Sequence, residues 1–221
     1  MSLATYSGLK EALGSWLLER GTSDIADRVP EFFALARTRI FYGCAEPGYE
    51  SEPLRIRFME EDADLTIDGT EVDLPEGYLQ QRRLYINSNP VICPDFLAPS
   101  DFRERFPFTS QSGAPKFFTV EGDKLVFTTP DAEYEAKLLY YKIPDALEDD
   151  DDADWLTENA PNVYLFGALA EFAMFDGDEA TASAYSKRLA GAVNSLMFAD
   201  QKDRWSAAKM AVRPAASVPV F

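Results

Sequence analysis

Residues 117–127 read FFTVEGDKLVF, two alternating apolar runs joined by Gly122 and Asp123. A two-residue loop containing glycine is the chemistry of a tight β-turn, and its length sets the strand register. Glu121 then stands opposite Lys124, and counting outward pairs Val120 with Leu125 and Phe118 with Phe127. One face is wholly apolar. The other carries Phe117 with Thr128, Thr119 with Val126, and a Glu121–Lys124 charge pair. Each cross-strand pair is worth ~0.2–1 kcal/mol, so a lone hairpin is marginal and needs further strands beside it. EYEAKLLYYKI supplies a third strand, with Tyr134, Ala136, Leu138 and Tyr140 on one face. LTIDGTEVDLP predicts a compact hairpin about Asp68-Gly69, and YLQQRRLYI another strand. PSDFRERF reads as one or two helical turns starting at Pro99 or Ser100.

On both sides of this region the apolar period lengthens to that of helices. Tyr6, Leu9, Leu13 and Trp16 recur at steps of three and four, with Thr5 or Ser7 as cap and Gly21 as terminator. A second helix is expected from near Asp27, with Pro30 in its first turn and Phe33, Ala36 and Ile40 buried, ending at Gly43 and Glu46-Pro47-Gly48. After DALEDDDDAD the pattern resumes: Pro161 opens a helix to Phe175, and Asp176-Gly177 breaks it. Asp178 caps a long last helix with Tyr185, Leu189, Ala192, Leu196 and Ala199 as its seam. The ending RPAASVPVF, with two prolines, cannot continue a helix.

The expected fold is therefore α+β: an antiparallel bundle of four helices from residues 1–47 and 145–209, a small antiparallel β-rich module inserted between helices 2 and 3 over residues 48–144, and an extended C-terminal tail over 210–221.

Charge narrows the function. The formal net charge is −17, from 38 acidic and 21 basic residues. Neutralising nucleic-acid phosphates requires clustered Lys and Arg, and the longest local basic signals here are Arg82-Arg83 and Lys187-Arg188. An anionic membrane surface is disfavoured by the same repulsion. The most apolar segment, Val163 to Phe175, is interrupted by Glu171 and falls short of the ~20 residues that span a bilayer. The N-terminus, MSLATYSGLKEAL, lacks the pattern of a signal peptide. Cys44 and Cys93 are too few for a disulfide framework or a structural zinc site, and are expected as buried free thiols in a soluble protein made in a reducing cytosol.

No catalytic constellation emerges. The chain has no histidine, which excludes imidazole acid–base chemistry and the usual triads. Neither GxxxxGK[ST] nor GxGxxG occurs. A glycosidase needs two carboxylates, one of them in an apolar pocket. Glu171 is the best single candidate, although the solvated or inter-subunit face of its helix is the expected place for it. Glu148 to Asp154 holds six carboxylates in seven positions, yet neither it nor DGDEATASAYSK matches the oxygen ladder of a calcium loop. It reads as a solvated linker. The aromatic residues mostly sit at core spacing. No catalytic residue, metal ligand or cofactor is expected.

Four stretches in order carry a resemblance, and the beginning of the chain also fits it. DLPEGYLQQRRLYI is similar to an LP-x-x-[FY]-L strand entry, FLAPSDFRERFP to a short helix ahead of a hairpin, and GAPKFFTVEGDKLVFTTPD to a G-x-P-x-[FY]-[FY] hairpin. TENAPNVYLFGALAEFAMF resembles a third helix with Pro161, Tyr164, Gly167, Ala168 and Leu169 in place, and ATYSGLKEALGSWL with VPEFFALARTRI fits the beginning. Together, from Leu3 to about Arg204, the chain resembles the head-to-tail adaptor (connector) proteins of tailed bacteriophages and gene-transfer particles. It departs from them at FYGCAEPGYESEP, where the second helix is expected to continue with more charge.

The resemblance implies a structural virion protein, made in the host cytoplasm and placed at the virion neck. It implies a ring of about twelve copies beneath the portal protein, extending the DNA channel and offering a platform to nozzle, tail-tube or fibre proteins. DNA would pass without specific binding, repelled by carboxylates facing the bore. The tail residues Val212, Arg213, Pro214, Val218, Pro219, Val220 and Phe221 are the expected portal contacts, because prolines reduce the ordering cost of an extended peptide. Phe117, Thr119, Glu121, Asp123 and Lys124 of the hairpin are expected to meet tail components or the neighbouring copy. Two readings from other classes compete: a carboxylate-dependent cell-wall hydrolase, and a monomeric cytosolic binding module.

Overall fold

The structure, a computed structural model, describes residues 3–18, 27–107 and 112–205. It is α+β, with six α-helices and two sheets among the described residues. In chain order these are α1 (Tyr6–Leu18), α2 (Val29–Tyr42), β1 (Glu60–Ile67), β2 (Glu71–Asp73), β3 (Tyr78–Ile86), β4 (Asp95–Phe96), α3 (Pro99–Arg105), β5 (Phe117–Glu121), β6 (Lys124–Phe127), β7 (Tyr134–Lys142), α4 (Trp155–Asn159), α5 (Pro161–Phe175) and α6 (Glu179–Trp205). The chain divides into two compact units, Met1–Ala12 with Arg57–Pro161, and Leu13–Ile56 with Asn162–Phe221.

In the first unit, the hairpin forms with the register its turn dictates: Phe118 opposite Phe127, Val120 opposite Leu125, Glu121 opposite Lys124. Gly122 adopts φ 61°, the left-handed region a side chain rarely enters. The other strands correct two expectations. Asp68-Gly69 does not close a hairpin. β1 instead pairs antiparallel with β7 along all eight of its residues, from Glu60 opposite Tyr141 to Ile67 opposite Tyr134, whereas β2 pairs with β6. A hairpin at Asp68-Gly69 would have matched β1 with only the three residues of β2. The turn is thus a corner between two sheets. For the same reason β7 is not the hairpin's third strand but the centre of its own sheet, ordered β1-β7-β3. The hairpin sheet is ordered β2-β6-β5-β4, with β4 parallel to β5.

The two sheets bury one core. Leu65, Ile67, Leu84, Ile86, Ala136, Leu138 and Tyr140 come from one, and Phe118, Leu125 and Phe127 from the other. Period-two alternation places them there: Ala136, Leu138 and Tyr140 share the inner face of β7, as expected. The acidic linker is largely exposed, and some of its carboxylates are engaged. The Asp152 carboxylate accepts from the backbone N–H groups of Glu148 and Asp149, and these bonds hold its pKa below the ordinary range. Its backbone also docks the start of α1, with Tyr6 N–H donating to Asp152 O and Ser7 N–H to Asp150 O. Asp154 then caps α4 in a capping box with Thr157, a helix the sequence reading had not anticipated.

The second unit is helical. α2 starts with Pro30 in its first turn and buries Phe33, Ala36 and Ile40, as its spacing predicts. It ends at Gly43, whose N–H still donates to Arg39 O and whose φ of 79° turns the following chain out of the helix. A Cβ there would lie 2.8 Å from Ser51 O. Asp178 caps α6 through Thr181 N–H. Two seams shift from expectation. In α1, Trp16 is exposed and Leu17 buried. In α6, the buried positions are Ala182, Ser186, Leu189 and Val193, and Ala199 is exposed. The steps of four and three are those expected, rotated about the helix, and the buried Ser186 accepts a hydrogen bond from Arg39. Cys93, expected to be buried, is exposed in the loop after β3.

α2 and α5 meet through small residues. An added Cβ on Gly167 would stand 2.8 Å from Ala36 Cβ. Replacing glycine by alanine in a helix ordinarily gains ~1 kcal/mol. Here the overlap costs ~1–3 kcal/mol, so Gly167→Ala should destabilise in urea denaturation, and Ala36→Gly in the same chain should recover most of the loss. A stabilised Gly167→Ala variant would contradict this packing.

Candidate functional site

The residues expected to contact a partner on the hairpin do not share one surface. Thr119 is fully buried, its Oγ1 without a hydrogen-bond partner. Phe117 is half-buried against Phe106, ring centres 5.4 Å apart, with the Arg105 guanidinium 4.5 Å above its ring. Asp123 is exposed at the turn, where its backbone O accepts Leu74 N–H. Glu121 and Lys124 face each other in register yet do not pair. Arg103 of α3 grips the Glu121 carboxylate with two donors, Nε at 2.9 Å, and this bond holds the Glu121 pKa below the ordinary range. Lys124 Nζ instead sits 2.8 Å from Glu71 of β2. Cross-strand neighbours were visible in the sequence. The competing partners were not, because α3 and β2 arrive from 18 and 53 residues away. The expected portal contacts, Val212, Arg213, Pro214, Val218, Pro219, Val220 and Phe221, lie outside the described residues.

The second unit holds an open groove of about 800 Å³, lined by the chain from Tyr42 to Ala45 and from Glu50 to Pro53, with Ala190 and Asn194 of α6. Its wall exists because FYGCAEPGYESEP leaves the helix. Cys44 and Ser51 form an antiparallel bridge, and Arg55 donates to Phe41 O and Leu54 O. The Glu50 carboxylate accepts Gly48 N–H, and backbone N–H groups lower its pKa. Elsewhere in the first unit, Phe58 stacks on Trp155 with ring centres 4.3 Å apart while remaining 53% exposed. A stacked aromatic pair open to water is a common anchor of protein interfaces.

Glu171 overturns its expected place. It is not on a solvated face: its carboxylate lies 3.0 Å from Arg39 Nε, and both side chains are nearly enclosed. Arg39 further donates to Ser186 Oγ at 3.0 Å and to Met174 Sδ. Burial raises the Glu171 pKa more than the Arg39 charge lowers it. The signal for this pair was present, since Arg39 falls on the α2 stripe of Phe32, Phe33, Ala36 and Ile40, and Glu171 on an apolar helix. Among the described residues, no group of three or more His, Cys, Asp or Glu could hold a metal ion, and no helix is long and apolar enough to cross a membrane.

Removing one partner of such a pair strands a buried charge. Arg39→Ala should cost ~3–5 kcal/mol in chemical denaturation, and Arg39→Met with Glu171→Leu should cost much less. The sign of the pH dependence follows from the raised pKa. The folded chain holds the Glu171 proton more tightly than the unfolded one, so this stabilisation is full below the ordinary value of 4.5 and is lost as pH rises through the raised value.

The enclosed Glu171 carboxylate is thus tied to Arg39, and an open groove and a half-exposed stacked aromatic pair lie elsewhere among the described residues. None of the curated proteins compared with the chain matches it. A family model described as SU10 adaptor protein matches residues 4–215. That span is nearly the whole chain and includes both units, so the protein belongs to the SU10 adaptor family of phage structural proteins.

Proposed function

We propose that the protein is a non-enzymatic head–tail adaptor of the virion neck, forming a ring of about twelve copies beneath the portal protein. The ring extends the DNA channel and gives nozzle, tail-tube or fibre proteins a platform. The observation that carries this reading is the adaptor-family match over residues 4–215. The acidic balance of −17 supports a bore that repels DNA, an effect confined to about 8 Å from its wall at physiological salt. In this reading residues 1–47 and 145–209, containing the long helices α1, α2, α5 and α6, form an antiparallel bundle that builds the ring. Residues 48–144 form an inserted β-rich module whose hairpin tip, with Glu121, Asp123 and Lys124 beside Phe117, meets tail components or the neighbouring copy. Residues 210–221 reach the portal. The carboxylate considered for hydrolysis, Glu171, is engaged by Arg39 and does not line the groove.

Native mass spectrometry of the protein, alone and mixed with the particle's portal ring, tests the assembly. The expected outcome is a complex with about twelve copies per portal. A monomer under both conditions would overturn the adaptor reading. Deleting the residues after Arg213 should abolish portal binding and leave the circular dichroism spectrum unchanged; undiminished binding would exclude the tail as the contact.

A further inference from the structure

Among the described residues no further strand pairs with either outer strand of the sheet β1-β7-β3, and the two carry opposite charge. The charged residues of β1 are Glu60, Glu61, Asp62 and Asp64, all acidic; those of β3 are Arg82 and Arg83, both basic. In a chain with a net charge of −17 a strand of purely positive sign is conspicuous. Asp62 and Arg83 flank Leu139, and Asp64 and Tyr85 flank Lys137, so alternation puts all four on the outer face of the sheet. There Lys137 Nζ serves two carboxylates at long range, 3.5 Å from Asp62 and 3.9 Å from Asp64. Arg82 is engaged, 3.0 Å from Glu60 and above the Tyr141 ring. Arg83 is exposed and joins no ion pair among the described residues.

An open edge presents unpaired backbone N–H and C=O groups and invites a further strand. Charge decides which strand it accepts. β1 against β1 of another copy, or β3 against β3, opposes like charges; β1 against β3 brings carboxylates to a guanidinium. β1 and β3 are both antiparallel to β7, hence parallel to each other, so copies related by rotation can continue the sheet without reversing a strand. Such a contact is heterologous. A pair of copies joined this way still presents one unused edge of each sign, β3 on one copy and β1 on the other, and addition repeats until the circle closes. The usable part of β3 is short, since register shifts interrupt it between Tyr78 and Gln80 and between Gln81 and Arg83, and Ile86 is bridged to Ile92.

We infer that neighbouring copies associate through these edges, the Arg83–Tyr85 stretch of one copy lying beside β1 of the next with Arg83 facing Asp62 and Asp64. This rests on the ring reading and names the contact that builds the ring.

The test is a charge exchange followed by sedimentation equilibrium and native mass, with and without the portal ring, after circular dichroism has verified folding. Arg83→Glu places a carboxylate where the β3 edge had its unengaged guanidinium, and Asp64→Lys places a cation on the β1 edge while leaving Asp62 to Lys137. Each variant alone should associate about tenfold or more weakly than the unsubstituted protein, and an equimolar mixture should recover assembly through the edges now opposite in sign. Raising sodium chloride should weaken the unsubstituted assembly. If the unsubstituted protein assembles and both variants assemble equally well, the edge contact is wrong and the ring reading stands. If each variant fails and the mixture fails too, the charges act within the subunit and the inference falls. An unsubstituted protein that stays monomeric in every condition overturns the ring and the edge contact together.

Discussion

Pairing of β7 along both of its sides organises the first unit. Tyr134–Lys142 takes β1 on one flank and β3 on the other, joining segments fifty or more residues apart in the chain, with Ile86 opposite Ala136 the nearest pair. Because the pleat alternates, this arrangement presents Ala136, Leu138 and Tyr140 as one continuous apolar strip and aims it at Phe118, Leu125 and Phe127 of the hairpin sheet. The hairpin takes its structural role here. It supplies the second layer of the core, which neither sheet could bury alone. Its tip is held by Arg103 from α3 and by the Glu71–Lys124 pair, so the exposed turn at Asp123 is carried on a rigid base.

The second unit is organised by closeness and by an enclosed charge pair. Gly167 lets α5 approach the Ala36 position of α2, and this approach brings Arg39 within reach of Glu171, Ser186 and Met174. Arg39 thereby ties α2 to α5 and α6 at one point. A buried ion pair adds little stability over an apolar pair of similar volume, but it penalises any rotation of a helix that would separate the charges. For a structural subunit, a defined helix register matters as much as stability.

Several features were readable from local pattern alone. The hairpin register, the α2 terminus at Gly43, the α3 start at Pro99 and the Asp178 cap all depend on contacts within a few residues, and each formed as expected. The Asp68-Gly69 corner looked like a hairpin because a turn signal says that the chain bends, not which strand lies beside it. Trp16 and the α6 seam were misplaced because a one-position rotation leaves the period unchanged. Glu121 and Lys124 appeared paired because adjacency across a turn is visible in sequence, whereas the arrival of Arg103 is not.

The sequence by itself determined the alternation of helical and extended segments, the turn chemistry between them, the acidic balance and the ordered motifs that mark an adaptor. Each is written in spacing or composition, which hydrogen bonding and side-chain geometry translate locally. Tertiary structure decided which strands neighbour one another, which face of each helix is covered and which charges meet. Those outcomes depend on burying the most apolar area around β7 and across the α2–α5 contact, a choice among partners far apart in the chain. Opposite charge on the β1 and β3 edges acquires meaning only once β7 separates them and leaves both open.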